Sequence, residues 1–114
     1  MTSPAEIVLE QRDDRLVARL SGEVDMSNAA YVREQLLASM PNEATGLVLD
    51  IGGCRYLDSA AIEVVFDLSR RLARRRQELR IAMPPDSPLR RVLELTEVHA
   101  AARVYDSLEA AISE

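Results

Sequence analysis

The chain has 114 residues, a formal net charge of −5, 47% apolar residues and only 4% aromatic ones. That length suits one compact domain over residues 1–114, with an aliphatic core, in which folding hides roughly two-thirds of the unfolded surface. The acidic balance argues against general affinity for nucleic acid or an anionic membrane, and no apolar run approaches the ~20 residues of a membrane span.

In chain order, "EIVLEQ" (6–11) and "RLVARLSG" (15–22) are short and rich in branched apolar residues. "RDD" (12–14) between them reads as a hairpin turn. Leu16, Ala18 and Leu20 alternate with Val17 and Arg19, the pattern of a half-buried strand. In "GEVDMSNA" (22–29), Ser27 is a good N-cap for the helical run that follows. Ala29, Val32, Leu36 and Leu37 carry that run until "MPNEATG" stops it with Pro41 and Gly46.

"GLVLDIGG" (46–53) is nearly continuous in apolar residues between glycines, as in a strand buried on both faces. After "CRYLD" a long helical run covers about 59–78. Ile62, Val65, Phe66, Ser69, Leu72 and Ala73 can share one face; Glu63, Asp67, Arg70, Arg71 and Arg74 lie largely off it. "LRIAMP" (79–84) is a short strand. "DSPLRRVLELTEV" (86–98) is a helix with Ser87 as cap and Pro88 at its first position. "AARVYDS" (101–107) is a last strand. Asp106 then opens "DSLE", a capping box with Glu109, for a terminal helix through Ala110, Ala111 and Ile112. The order β-β-α-β-α-β-α-β-α implies an α/β fold on a mixed sheet, with right-handed parallel crossovers after the hairpin.

The one feature at a chemically useful place is Asp58-Ser59, at a strand-to-helix junction. Such junctions lie on the edge where α/β proteins bind ligands. If Ser59 were the first residue of a capping box, position 62 would hold Glu or Gln; it holds Ile62, and Asp58 can cap instead. A phosphate on Ser59 would meet free backbone N–H groups and the positive end of the helix dipole, and would add ~−2 of charge beside Asp58.

Other chemistry is poorly supported. Ser59 has no G-x-S-x-G elbow and no adjacent base, the lone His99 lying far along the chain, so a hydrolase is disfavoured and the chain is not expected to be an enzyme. The lone Cys54 forms no internal disulfide or multi-cysteine metal site and reads as buried packing. No metal ligand set and no cofactor motif is present; "LDIGGC" opens no phosphate loop. "RRLARRR" (70–76) lacks interleaved aromatics, and Asp67 to Arg71 is an i, i+4 pair of a solvated helix face. Asp25 can cap a turn or the first helix, or serve function. "MTSPAEIVLEQ" lacks the basic and apolar regions of a signal peptide, and a cytoplasmic location is expected.

Four segments, "LSGEVDMSNA", "LVLDIGGCRYLDSAAI", "RVLEL" and "VYDSLEAAI", occur in an order and spacing that resemble the STAS domain. More narrowly, they resemble the stand-alone bacterial anti-sigma factor antagonists, over about residues 6–113. The resemblance implies a mixed sheet with four helices packed mainly on one side. It implies a regulatory protein that binds an anti-sigma factor, a serine kinase with a histidine-kinase-like ATPase fold, and thereby frees the sigma factor. It implies phosphorylation at Ser59 as the off switch, a serine phosphatase that reverses it, and a monomer when free. The matching partner face is Asp25, Met26, Ser27 and Asn28 in one loop, with Asp58, Ala60, Ala61 and Glu63 around Ser59.

The family usually reads Asp-Ser-Ser/Thr-Gly-Leu-Gly there; this chain has Asp58-Ser59-Ala60-Ala61-Ile62-Glu63. The second hydroxyl and both glycines are gone. The changes stiffen the helix start, put a methyl at Ala61 in the way of a closely packed partner, and add a carboxylate at Glu63. The alternative reading is a constitutive STAS adaptor of an ABC-type lipid transporter or a sensory assembly, which needs no switch.

Overall fold

In the computed structural model, residues 5–113 are described; the first four residues of the stretch read for a signal peptide lie outside them. Five strands form one sheet in the order β1-β2-β3-β4-β5. They are β1 (Glu6–Arg12), β2 (Arg15–Val24), β3 (Gly46–Leu57), β4 (Glu78–Ala82) and β5 (Arg103–Tyr105). The helices are α1 (Ala29–Ser39), α2 (Ser59–Arg74), α3 (Leu89–Leu95) and α4 (Leu108–Ser113), with a 3-10 turn at Val98–Ala100. β1 and β2 pair antiparallel through the Asp13–Asp14 turn, where Asp13 takes a left-handed φ of 56°. All later neighbours pair parallel.

Because each new parallel strand is added on the same side of the last, right-handed crossovers carry α1, α2 and α3 over one face. There they bury a core with Leu16, Leu20, Leu47, Leu49, Ile51 and Ile81. α4, which follows β5, folds back on the opposite face, where Ala111 packs on Val17, Val48, Ala82 and Tyr105. Adjacent residues of β3 therefore serve different cores: Leu47 and Leu49 face one, Val48 the other, and all three are buried. The expected double-sided burial of β3 has this origin. Gly46 is required by the close approach of β4, since a Cβ there would stand 2.2 Å from the Glu78 carbonyl oxygen.

Several boundaries move from their sequence positions. β3 continues past Gly53 to Leu57 because β2 runs on to Val24 and keeps pairing with it. α2 stops at Arg74, not 78: Arg76 turns left-handed (φ 59°), and its N–H and that of Gln77 return to the carbonyls of Ala73 and Leu72. That is a Schellman ending made without glycine. The buried face of α2 is Ala61, Ile62, Val64, Val65, Leu68 and Leu72, whereas Ala73 is exposed and Phe66 only half-buried. α3 ends at Leu95, and Ser87 Oγ accepts the Leu89 N–H at its start. The terminal helix is capped by Ser107, whose Oγ accepts the Ala110 N–H; Asp106 instead pairs with Arg90 at 3.0 Å. The serine wins because α4 begins one residue later than the capping-box reading requires.

Candidate functional site

Two loops leave the sheet at one point, and the β2–β3 register brings them together. Val24 lies beside Leu57, after register shifts near Ser21 and Gly22. Gly22 has a φ of 88°, a conformation that favours glycine, and it sits at one of these shifts. Beyond the pairing, the Asp58 N–H donates to the Val24 carbonyl at 3.3 Å.

Asp58 then holds the two loops together. It is the extended N-cap of α2 (φ −97°, ψ −173°), and its Oδ1 accepts the Ala61 N–H at 3.0 Å. Its Oδ2 accepts the Met26 N–H at 2.9 Å, across 32 residues of sequence. With Asp58 as cap, Ser59 is the first residue of the helix. Its side chain is exposed and forms no hydrogen bond among the described residues. The N–H groups of Ser59 and Ala60 lie in the first turn, ahead of any intrahelical acceptor.

The Asp25–Asn28 loop is knitted by its own side chains. Asp25 Oδ1 accepts the Ser27 N–H at 2.9 Å and the Ser27 hydroxyl at 2.5 Å. Asn28 Oδ1 accepts the Asp25 N–H, and Asn28 Nδ2 donates to the Glu23 carbonyl, both at 2.9 Å. Ser27 is thus not the N-cap of α1. Asn28 occupies that position and makes no side-chain cap bond; the Asp25 carbonyl accepts the N–H groups of Asn28 and Ala29 instead. The polar groups of this loop compete successfully for Ser27 because Asp25 is only two residues away. Met26 is 83% exposed.

The Ser27 hydrogen bonds hold the Asp25 carboxyl below its ordinary value of 3.8. Bonds to the ionised form stabilise it, so this contribution to folding is fully present above the unfolded value and is lost as pH falls through the lowered folded value. A carbon-detected NMR titration is expected to place the Asp25 midpoint below 3.8, and Ser27→Ala to return it upward. An unchanged midpoint in that variant would show that the serine bonds are not the cause.

The structure thus gathers Asp25, Met26, Ser27, Asn28, Asp58, Ser59, Ala60 and Glu63 at one end of the sheet. Ala61 differs. It is 3% exposed and its methyl joins the core under α2, so it offers no obstacle to a partner. Of the positions where the chain departs from the family's turn, Ala60 and Glu63 are those with outward surface.

Asp58→Ala is expected to lower stability by about 1–2 kcal/mol, the usual worth of a cap, in chemical denaturation. It should also raise the hydrogen-exchange rate of the Met26 amide. Asp58→Asn should keep most of the cap while still releasing Met26, because an amide has only one acceptor oxygen.

Beside the turn, an open groove of about 750 Å³ runs between α1 and α2. The i, i+4 spacing of Asp67 and Arg71 predicts a solvated helix face. Asp67 is instead mostly covered, with Arg71 Nε at 3.0 Å and, from the other helix, Arg33 Nη1 at 3.6 Å. The i, i+4 spacing disclosed the first contact; nothing local disclosed Arg33. His99 lines separate grooves with Arg90 and Arg103. Burial, then Asp50, pushes the Cys54 thiol up to about 11, so it stays protonated and packed. Among the described residues, no group of three His, Cys, Asp or Glu is arranged to hold a metal, and no helix is long and apolar enough to cross a membrane.

The chain matches the family model of the STAS domain over residues 6–111. The chain belongs to the STAS domain family. A relative of this STAS domain is BtrV of Bordetella bronchiseptica, a candidate anti-sigma factor antagonist. The two are 29% identical over 106 residues, covering 93% of this chain and 90% of the relative. Among solved structures, an anti-sigma factor antagonist from Mycobacterium paratuberculosis superposes with a TM-score of 0.84 at 21% identity, over 99% of this chain and 97% of that one. The unphosphorylated form of the anti-sigma factor antagonist SpoIIAA superposes with a TM-score of 0.73 at 21% identity, over 92% of each chain. The shared fold is the mixed sheet with its helices in the same order.

Proposed function

We propose that this STAS domain is an anti-sigma factor antagonist that docks through the Ser59 turn and is switched off by phosphorylation of Ser59. The observation that carries this reading is the exposed, unbonded Ser59 hydroxyl at the start of a 16-residue helix, braced by Asp58 against the Asp25–Asn28 loop. The names of the relatives supply the role. The partner is an anti-sigma factor that is itself a serine kinase with a histidine-kinase-like ATPase fold, and a serine phosphatase resets the switch.

The chain brings the nucleophile alone. Among the described residues no side chain hydrogen-bonds Ser59, and the base that takes its proton belongs to the kinase. The γ-phosphoryl group of ATP passes to Ser59 Oγ as its bond to the β-phosphate oxygen breaks. Docking buries a neutral hydroxyl; after transfer the same contact would bury a dianion beside Asp58, Asp25 and Glu63. The inward position of Ala61 supports a switch still readable by a partner, since the lost glycine there costs no outward surface.

The test is a pull-down from extract of the organism's own cells with wild type and with Ser59→Glu, partners identified by mass spectrometry. Capture of a kinase-like ATPase by wild type and its loss with Ser59→Glu is the expected result. A partner held equally by both would overturn the switch and support the constitutive adaptor.

A further inference from the structure

We propose that the groove between α1 and α2 receives an acidic, amphipathic segment of the partner, whose carboxylates bind Arg70 and Arg71. This rests on the reading that the partner docks at the Ser59 turn, because the groove continues directly from that turn through Met26, Ala60 and Glu63.

Three arginines, Arg33, Arg70 and Arg71, line the groove with two carboxylates, Glu63 and Asp67, and all three converge on Asp67. Asp67 meets Arg71 at 3.0 Å, Arg70 at 3.5 Å and Arg33 at 3.6 Å. Arg33 is also held by Glu34 at 3.1 Å, which leaves Arg70 and Arg71 sharing the single carboxylate of Asp67. Their side chains are 63% and 46% exposed while Asp67 is 22% exposed: the acid is sheltered and the guanidinium groups stand over it. Each guanidinium has five N–H donors, and among the described residues Arg70 and Arg71 each pair with that one carboxylate. Arg74, exposed one turn further on, lengthens the basic strip. In a chain of net charge −5 this is a local reversal of sign.

The floor selects the kind of occupant. Ala29, Ala60, Val64 and Phe66 make it apolar, which suits the apolar face of a peptide segment. The far end, at Asp25, Asp58 and Glu63, is acidic. A nucleic acid or an anionic lipid surface following the arginines would meet those carboxylates, whereas a folded partner can present opposite charges at the two ends. The gradient from acidic turn to basic groove therefore also fixes the direction in which the partner lies.

The experiment places a photo-reactive amino acid at Ala30, on the groove rim, and separately at Leu95 on α3 as a remote control. Cross-links are formed in the organism's own cells, and the joined peptide is sequenced by mass spectrometry. The expected result is an Asp/Glu-rich peptide joined at position 30 and not at 95. Arg70→Gln/Arg71→Gln should lower that yield about tenfold, with an unchanged thermal melt to show the helix intact. A neutral or basic peptide, a peptide from a second copy of this chain, a nucleic acid or lipid adduct, or no product at position 30 would overturn the proposal. So would a yield indifferent to the arginine substitutions. Combining the position-30 probe with Ser59→Glu separates the two readings. An acidic cross-link that survives Ser59→Glu keeps the groove and sinks the switch. Partner capture lost with Ser59→Glu but unmoved by the arginine variant keeps the switch and sinks the groove.

Discussion

Ser59→Glu is expected to fold at least as well as wild type and to lose its partner. The two effects have opposite signs because they come from different interactions. In the free protein, a carboxylate in the first turn of α2 meets the positive end of the helix dipole, a gain of about 0.3–1 kcal/mol at an exposed site. The neighbouring Asp58 offsets part of this gain. Its two oxygens already accept the N–H groups of Met26 and Ala61, so its bonds need not rearrange. In the complex the same charge must be desolvated beside Asp25, Asp58 and Glu63, and like charges brought together at an interface cost several kcal/mol. A loss of about 3 kcal/mol corresponds to roughly a hundredfold in affinity. Titration calorimetry against the proposed kinase partner, beside a thermal melt of each variant, reads both numbers. Ser59→Ala completes the series: it should bind as wild type does and resist inactivation by the proposed kinase with ATP. A Ser59→Glu protein that binds normally would remove the electrostatic mechanism. One that melts well below wild type would show that Ser59 does structural work.

The second large effect is on stability. Leu68→Ala is expected to lower the unfolding free energy by about 3–4 kcal/mol, measured by denaturant titration. Leu68 is 0% exposed at the middle of α2 and faces the sheet. It borders a small apolar void of about 20 Å³ shared with Leu20, Val24, Leu49 and Val65. The surroundings have not closed over that space even with leucine present, so truncation should leave much of the removed volume as cavity, at the costly end of the usual range. Against a total stability of about 5–15 kcal/mol, that is a large share. Leu95→Ala is the control. With Leu95 69% exposed, it should change stability by less than about 0.5 kcal/mol. A Leu68→Ala cost under about 1 kcal/mol would mean that α2 repacks freely, and that the groove above it is not a rigid surface.

Much of the fold was legible in the chain. Alternation in Leu16–Leu20, the unbroken run at 47–51 and the punctuation by Pro41, Gly46 and Pro88 set the strands and helices in their right order. Those signals are local, and local geometry enforces them. The misplaced ends have one cause: a boundary is decided by what the chain pairs with next. β3 continues to Leu57 because Val24 is beside it, and α2 ends at Arg74 because Arg76 turns left-handed without a glycine to announce it. The capping serines shifted for a related reason. Ser27 is taken by Asp25, and Ser107 rather than Asp106 faces the free N–H groups of α4.

By itself the sequence determined the element order, the place of Asp58-Ser59 at a strand-to-helix junction, and Asp58 as the alternative cap. These follow from residues within a few positions of one another, where backbone geometry leaves little choice. Only the tertiary structure decided that Met26 hangs from Asp58, that Ala61 turns inward, and that Arg33 reaches Asp67. Each of those depends on which loops and helices the parallel register brings side by side, and composition and period carry no information about residues that meet across 32 or 34 positions of chain.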